Sequence, residues 1–328
     1  MLFKCLGSSC CLALKSHGGV WWEVFVAFEV MEKAKGDGQP GEEATELKDG
    51  GVPQPLPDGR TGVLFNGWIV ETHKKSILSS LSLEQWEEKL GTRHMPEMVF
   101  GESSLILHHV GTGIKIYFNA FDALTGWKQE RLPPVEVPAA AKWKFRSKPQ
   151  QQVILDYDYT FTTPYCGSEA VEPRAEMVMG TKPEGSTGVL HWVDCDEHID
   201  FAALSPKEPI HFFDEVLLYE DELADNGVSL LTVKVRVMPS CWFLLLRFWL
   251  RVDGVLVRLR DTRMYCAFTN NHERVPYVLR ECCWRECTFK ALSARGFPSD
   301  SASYSDPNLI SQRLPVVVQK TQKLTLSS

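Results

Sequence analysis

The segment CWFLLLRFWLRVDGVLVRLRD, residues 241–261, constrains the fold most, because it is both the most apolar and the most arginine-rich part of the chain. A transmembrane helix needs about 20 consecutive apolar residues. Arg247 and Arg251 interrupt the apolar run and Asp253 follows it, so a membrane span is rejected. Asp253-Gly254 is a dipeptide favoured in the two-residue type I′ turn of a β-hairpin. The segment therefore predicts an antiparallel hairpin.

A two-residue turn also predicts which side chains share a face, because directly opposed residues point the same way. One face is apolar and pairs Val252 with Val255, Leu250 with Val257, and Phe248 with Leu259. The other face carries the arginines and pairs Arg251 with Leu256, Trp249 with Arg258, and Arg247 with Arg260. We expect the apolar face in the core. Two interpretations of the arginine face stay open: solvent exposure with Arg258 stacked on Trp249, or a second core layer from which the charged groups reach out.

Neighbouring segments extend this pattern into a sheet. Alternation in SLLTVKVRVMP and the turn signal Asn226-Gly227 predict a four-stranded antiparallel meander over residues 212–261. A strand at 62–75 and a hairpin at 105–119 precede it, and a helix is predicted from the N-cap Ser82 to Gly91. Residues 278–294 also carry a helical pattern. The predicted class is α+β, with antiparallel β-sheets packed as a single compact domain and a few peripheral helices.

Segments of biased composition set the expected boundaries. Residues 1–61 predict a disordered N-terminal extension, since residues 31–59 are acidic and rich in Gly and Pro. Met31 is hypothesised to be the physiological start, because residues 1–30 make a poor signal peptide. The folded domain is expected over 62–316, with flexible insertions near 129–152 and 168–188, and a C-terminal tail over 317–328.

Charge and cysteine usage exclude several classes of protein. A formal charge of -7 over 328 residues argues against a general nucleic-acid binder. The ten cysteines include no C-x-x-C pair, which favours reduced thiols in the cytoplasm or nucleus over a disulfide framework. The chain is expected to need neither nucleic acid nor membrane.

A search for catalytic patterns finds no nucleophile with its base and no phosphate-binding glycine loop. Asp156 and Asp158 share one face of a strand, but no third carboxylate accompanies them. The polar cluster DCDEHID at 194–200 contains ligand types for zinc without a partner pair. No catalytic residue, metal site or cofactor is predicted, and the chain is expected to be a binding protein.

Several long motifs resemble the TIPRL, or TIP-like, family of TOR-signalling regulators, and most closely its plant branch. They are MPEMVFG (95–101), NAFDAL (119–124), YDYTFTTPYCG (157–167), FFDEVLLYEDELADNGVS (212–229), VKVRVMPSCWFLLLRFWLRVDGVLVRLRDTR (233–263), YVLRE (277–281) and SDPNLISQRLP (305–315). The resemblance covers roughly residues 62–316 and agrees with an α+β fold. It implies a non-enzymatic regulator that binds catalytic subunits of type 2A-like serine/threonine phosphatases, types 2A, 4 and 6, including their C-terminal tails.

The resemblance also carries over partner-contact positions, which fall on Asp122, Ile199, Leu259 and Asp261. A phosphatase tail ends in a carboxylate, which arginine side chains bind well. The candidates for that role are the four arginines assigned to one hairpin face, Arg247, Arg251, Arg258 and Arg260. Asp122 and Asp261 have an alternative structural role as cap or turn residues.

Two alternative functions stay open beside phosphatase regulation. One is a scaffold for other signalling partners, and the other is a metal-dependent hydrolase using DYD and DCDEHID. The expected state is a cytoplasmic monomer, with the nucleus as a second compartment.

Overall fold

The computed structural model describes residues 52–92, 95–126, 163–171, 190–202, 204, 208–223, 225–268, 275–298 and 300–326, together with the backbone of strands 135–138 and 152–155.

The chain divides into two units. Glu46–Ile199 and Glu208–Ser328 form the larger unit, which holds both large sheets. The smaller unit is Met1–Thr45 with Asp200–Lys207. Within it, the backbone N–H of Leu204 donates to the carbonyl of Phe201 at 3.2 Å, which closes a turn.

A six-stranded antiparallel sheet is formed by the first half of the larger unit, in the order β1-β2-β3-β5-β6-β9. Its strands are β1 (Gln54–Pro55), β2 (Thr61–Phe65), β3 (Trp68–His73), β5 (Ser104–His109), β6 (Ile114–Asn119) and β9 (Ser168–Val171). The single strand predicted at 62–75 is a hairpin, because Asn66 and Gly67 both take positive φ, 46° and 75°, and leave Phe65 opposite Trp68. Positive φ at both positions is the requirement of a type I′ turn. The predicted hairpin at 105–119 is confirmed as β5 and β6.

An eight-stranded antiparallel sheet follows, in the order β10-β16-β15-β14-β13-β12-β11-β4. Its strands are β4 (Met98–Val99), β10 (Val193–Asp194), β11 (Phe212–Asp221), β12 (Gly227–Val237), β13 (Cys241–Val252), β14 (Leu256–Ala267), β15 (Tyr277–Thr288) and β16 (Val316–Thr325). The meander predicted over 212–261 is confirmed as β11 to β14 and continues through β15 and β16. A separate two-stranded sheet pairs β7 (Val135–Pro138) with β8 (Gln152–Leu155).

The predicted register of the β13–β14 hairpin is wrong by one residue. Val252 pairs with Leu256, so the loop has three residues, and Phe248 faces Arg260 where Leu259 was expected. Gly254 has a φ of 74°, but Asp253 is not among the residues with positive φ. A type I′ turn needs positive φ at both of its central residues. The N–H of Val255 donates to the carbonyl of Val252 at 2.9 Å and closes this turn. One added loop residue moves every side chain of β14 to the other face.

Both faces of the eight-stranded sheet are covered, and each cover forms its own apolar cluster. The larger cluster lies between the two sheets, where Trp68 meets Trp242 edge to face with ring centroids 5.1 Å apart. The smaller cluster lies on the opposite face and joins Trp249 and Leu259 to residues of the C-terminal segment. That segment contains α3 (Phe289–Ala294), the 3-10 helix Ser301–Tyr304 and α4 (Pro307–Ser311).

The helices in the described part of the chain are few and short beside the antiparallel sheets, which confirms the α+β class. The first helix, α1 (Ser80–Leu90), begins after Ser79, whose hydroxyl accepts from the N–H of Ser82, so the predicted N-cap at Ser82 is corrected. Gly91 ends it in the left-handed conformation, as predicted. The second helix, α2 (Ala120–Thr125), follows β6 directly. The helix predicted over 278–294 is wrong up to Thr288, because those residues form β15.

Two predicted boundaries also move. The C-terminal tail expected from residue 317 pairs with β15 as β16, and the extension expected up to residue 61 contains β1. The insertion predicted at 168–188 begins with β9, and the insertion predicted at 129–152 contains β7 and the first residue of β8. The remaining parts of both insertions and residues 1–51 lie outside the described residues. Among the described residues, no helix combines the length and the apolar character that a membrane crossing requires.

Candidate partner-binding site

The corrected register separates the four candidate arginines. Arg247 and Arg251 lie on the face of the smaller apolar cluster, opposite Asp261 and Val257. Arg258 and Arg260 lie on the other face, opposite Leu250 and Phe248. The prediction that these arginines share one face is therefore wrong. The predicted stacking of Arg258 on Trp249 is wrong for the same reason, since Trp249 pairs with Leu259.

Asp261 is the centre of a buried charge network and only 2% exposed. Arg247 binds it in a bidentate manner, with Nε 2.7 Å from Oδ1 and Nη2 2.8 Å from Oδ2. Arg263 adds a third contact at 2.7 Å, and Arg247 Nη1 reaches Asn308 of α4 at 2.6 Å. Burial works to raise the pKa of Asp261, but the charges of Arg247 and Arg263 outweigh it and lower the pKa. The network thus ties β13 and β14 to the C-terminal segment.

Ile199 is also buried, at 3% exposure, and lies beside β15 of the same sheet. Its backbone N–H donates to Oε1 of Glu281 at 2.7 Å, and Glu281 lies opposite Arg263 in the β14–β15 pairing. The neighbouring His198 places Nδ1 3.2 Å from the same carboxylate oxygen, while 63% of its side chain stays exposed. Ile199 itself is thus held in the interior, and His198 is the part of this cluster that meets solvent.

Leu259 is 1% exposed and packs in the smaller apolar cluster with Trp249, Tyr304 and Leu314. Two predictions were made for this residue, core packing and partner contact, and the structure tests only the packing. It lies in a core, although in the one on the opposite face from that predicted. Partner contact by Leu259 stays a prediction.

Asp122 lies in the first turn of α2 and is half-buried. Its N–H donates to Oδ1 of Asn119 at 2.8 Å, and Asn119 Nδ2 donates back to Asp122 Oδ2 at 2.8 Å. Ser168 Oγ donates to the same carboxylate. Tyr165 joins them, since its hydroxyl accepts from the N–H of Asn119 and donates to the carbonyl of Tyr117, both at 3.2 Å. Asp122 therefore has the cap-like role that the sequence left open.

The segment Thr163–Ser168 connects Asp122 to the arginine on the nearer face of β14. Arg260 Nη1 donates to the carbonyl of Thr163 at 3.1 Å, and its guanidinium stacks on Trp284 at 4.2 Å from the ring centroid. Arg258 Nε donates to Glu286 on β15. Asp122 and Arg260 are thus brought to one region, whereas Ile199, Arg247 and Asp261 are brought to another on the opposite face.

Three of the candidate arginines each bind a carboxylate of this chain, and these carboxylates differ in how exposed they are to replacement by a carboxylate of a binding partner. The side chain of Asp261, bound to Arg247, is only 3% exposed, so a partner carboxylate could replace it only by opening a buried ion-pair network. Glu286, bound to Arg258, is 34% exposed, and Asp253, bound to Arg251, is 36% exposed. Arg251, whose own side chain is 18% exposed, is therefore better placed than Arg247 to exchange its carboxylate, whereas the side chain of Arg258 is itself only 5% exposed.

Sequence reasoning missed several residues of these two regions. Glu281 and Arg263 are directly opposed only when residues 277–288 form a strand, so the helical prediction there concealed the pair. Tyr165 lies in the family motif at 157–167 and Ser168 directly follows it, but nothing local to that motif indicates Asn119 or Asp122 as partners.

No group of three His, Cys, Asp or Glu side chains in the described ranges is arranged to hold a metal ion. The cluster at 194–200 is spread over different partners: Asp194 lies 3.1 Å from Lys320, whereas His198 binds Glu281. Asp156 and Asp158 lie outside the described residues.

Comparison with known proteins connects this structure to a family. The model of the TIP41-like family matches residues 98–293, more than half of the chain. A TIP41-like protein of Arabidopsis thaliana is 65% identical over 282 residues, which cover 86% of this chain and 96% of the relative. A TIP41-like protein of Homo sapiens is 38% identical over 264 residues, covering 79% and 88%. The type 2A phosphatase activator TIP41 of Saccharomyces cerevisiae is 33% identical over 292 residues, covering 82% and 75%. The chain therefore belongs to the TIP41-like family.

Proposed function

We propose that this chain binds the catalytic subunits of type 2A-like serine/threonine phosphatases and regulates their activity or assembly. The observation that carries the proposal is the similarity to two fungal proteins named type 2A phosphatase activators, of which this chain covers 75% and 96%. Over such a length, the similarity extends across both large sheets of the present structure. The regulator acts by binding and not by catalysis.

The proposal includes types 2A, 4 and 6, their C-terminal tails, and action within TOR signalling. The regulator works as a monomer in the cytoplasm, with the nucleus as a second compartment. For the tail carboxylate, the partly exposed ion pair of Arg251 with Asp253 supports Arg251 as a ligand. Arg247, Arg258 and Arg260 stay candidates, although all three are buried. Half-buried Asp122 supports a second contact, because its carboxylate is held in a fixed position by Asn119 and Ser168.

Affinity capture tests the proposal against its alternatives. Tagged full-length chain, incubated with Arabidopsis extract and analysed by mass spectrometry, is expected to retain catalytic subunits of the type 2A group. Absence of every such subunit, with other signalling proteins retained, would support the scaffold alternative. Metal analysis of the purified protein addresses the hydrolase: a stoichiometric divalent metal would favour it.

A further inference from the structure

Two cysteines from distant parts of the chain meet at the side of the molecule that holds Asp122. Cys166 lies in the segment before β9, and Cys282 lies on β15, 116 positions further along. Their Sγ atoms are 3.5 Å apart. A disulfide requires a separation of about 2.05 Å, so a closing movement of about 1.5 Å would join them.

The surroundings hold both sulfur atoms in position. Cys166 Sγ lies 3.2 Å from the carbonyl of Pro164. Gly167 follows with a φ of 104° and packs so closely on Phe118 that a Cβ atom there would lie 2.7 Å from the ring. Across the strand pair, Thr262 Oγ1 lies 3.8 Å from Cys282 Sγ. The contact therefore belongs to a tightly packed part of the fold.

The two thiols differ in character. The hydrogen bond from Cys282 is the main influence that lowers the pKa of Cys166; Thr262 and the charges of Arg280 and Arg260 add to it and outweigh burial. The same hydrogen bond, followed by burial, raises the pKa of Cys282. Cys166 is also only half-buried, whereas Cys282 is buried. Cys166 is thus suited to be the attacking thiolate and Cys282 the thiol that resolves it.

Other described cysteines have different surroundings. Burial raises the pKa of Cys241 to about 11 and that of Cys266 to about 12, which keeps both as unreactive thiols. Cys283 and Cys287 are buried on the opposite face of β15 from Cys282. Cys195 is half-buried and provides a matched control for solvent access.

We propose that Cys166 and Cys282 form a reversible disulfide when a hydroperoxide oxidises them. The Cys166 thiolate attacks the outer peroxide oxygen, the O–O bond breaks, and Cys166 becomes a sulfenic acid. Cys282 then attacks that sulfur, its proton joins the departing hydroxide, and water leaves as the S–S bond forms. Two thiols and one hydrogen peroxide molecule thus give one disulfide and two water molecules. A dithiol reductant reverses the step by thiol–disulfide exchange.

The disulfide would join the segment that binds Asp122 to the strand that binds Ile199. Tyr165 and Ser168 flank Cys166, and Glu281 precedes Cys282. Closing a loop of this length restricts the unfolded chain, so the oxidised protein is expected to melt about 5–10 °C higher. This inference does not depend on phosphatase binding, because every readout below is made on the isolated chain.

Peptide mapping of the full-length protein tests the proposal. The reduced chain is treated with one equivalent of hydrogen peroxide, alkylated and digested without reductant. The expected product is a cross-linked peptide pair containing Cys166 and Cys282. It should form in higher yield than any other cysteine pair and disappear on treatment with dithiothreitol. The variant Cys282→Ser should leave Cys166 as a sulfenic acid that dimedone traps at several-fold higher yield than in the wild type. Cys195→Ser should cross-link as the wild type does.

Two results would overturn the disulfide. One is the absence of the Cys166–Cys282 peptide in wild-type protein, or its formation in no greater yield than random pairs. The other is dimedone labelling of Cys166 that Cys282→Ser leaves unchanged. The wild-type map needs no variant, so a substitution that fails to fold does not remove the test.

Discussion

At the scale of single residues, three of the four positions that the family resemblance assigns to partner contact lie in the interior. Ile199, Leu259 and Asp261 are each 3% exposed or less. Substitutions at these positions are therefore expected to weaken partner binding through the fold. Asp122 differs, since its carboxylate lies in a half-buried network at the start of a short helix.

The substitution Asp261→Asn is expected to destabilise the protein by roughly 3–5 kcal/mol, because it removes the buried carboxylate that both Arg247 and Arg263 contact. Urea unfolding measures this free energy. The matched control is Asp253→Asn, whose partly exposed pair with Arg251 contributes less than about 1 kcal/mol. Equal losses in the two variants would contradict the central role of Asp261.

The same network predicts sensitivity to acid. Because the folded state lowers the pKa of Asp261, its contribution to stability is present above the unfolded-state pKa and is lost as the pH falls through the folded one.

Asp221 predicts a dependence of the opposite sign. Burial raises its pKa to about 6, although its carboxylate accepts the N–H groups of Leu223 at 2.6 Å and Glu97 at 3.0 Å. A raised folded pKa means that the contribution is fully present below the unfolded-state pKa near 3.8 and is lost as the pH rises through about 6.

Between pH 5 and pH 7.5, the wild type should therefore lose stability relative to Asp221→Asn, by about 1.4 kcal/mol. Urea unfolding of both proteins at the two pH values measures the difference. A constant difference across that range would show that Asp221 does not titrate there.

At the scale of elements, the sequence predicts β11 to β14, but it misses β15 and β16 and the register of the β13–β14 hairpin. Both Asn66-Gly67 and Asp253-Gly254 carry a type I′ signal, yet only the first makes a two-residue loop. Alternation could not choose between the registers around Gly254, because apolar clusters cover both faces of the eight-stranded sheet. Trp249 and Phe248 are each buried, on opposite faces, so either register appears well packed from the sequence.

The prediction for β15 fails for a related reason. ECCWREC shows little alternation, since Cys282 and Cys283 are buried on opposite faces of one strand. Small thiol side chains suit a helix core and a covered strand equally well. The partner-contact cluster at Glu281 and Ile199 depends on this pairing, and a sequence pattern alone could not locate it.

The turn itself gives an element-scale prediction. Gly254 has a φ of 74° with open space around it, so Gly254→Ala should cost about 1 kcal/mol from backbone strain alone. Gly254→Asn should cost less, because asparagine tolerates the left-handed region. Thermal unfolding compares the two variants. A larger loss for asparagine than for alanine would contradict strain as the cause.

At the scale of the whole molecule, the larger unit is a pair of sheets that share one apolar core, with a second core under the C-terminal segment. Its polar networks hold neighbouring strands and loops in fixed positions, and none of the described clusters has the arrangement of a metal site. Such a molecule is suited to binding a partner on a rigid surface. Two fungal relatives are named type 2A phosphatase activators, and these names support the partner class that we propose.

Isothermal titration of the purified full-length chain into a purified type 2A catalytic subunit tests phosphatase binding most directly. We predict saturable binding at one chain per subunit with a Kd at or below about 1 μM. No saturable binding by correctly folded wild-type chain, at concentrations about a hundredfold above that value, would contradict the proposed function.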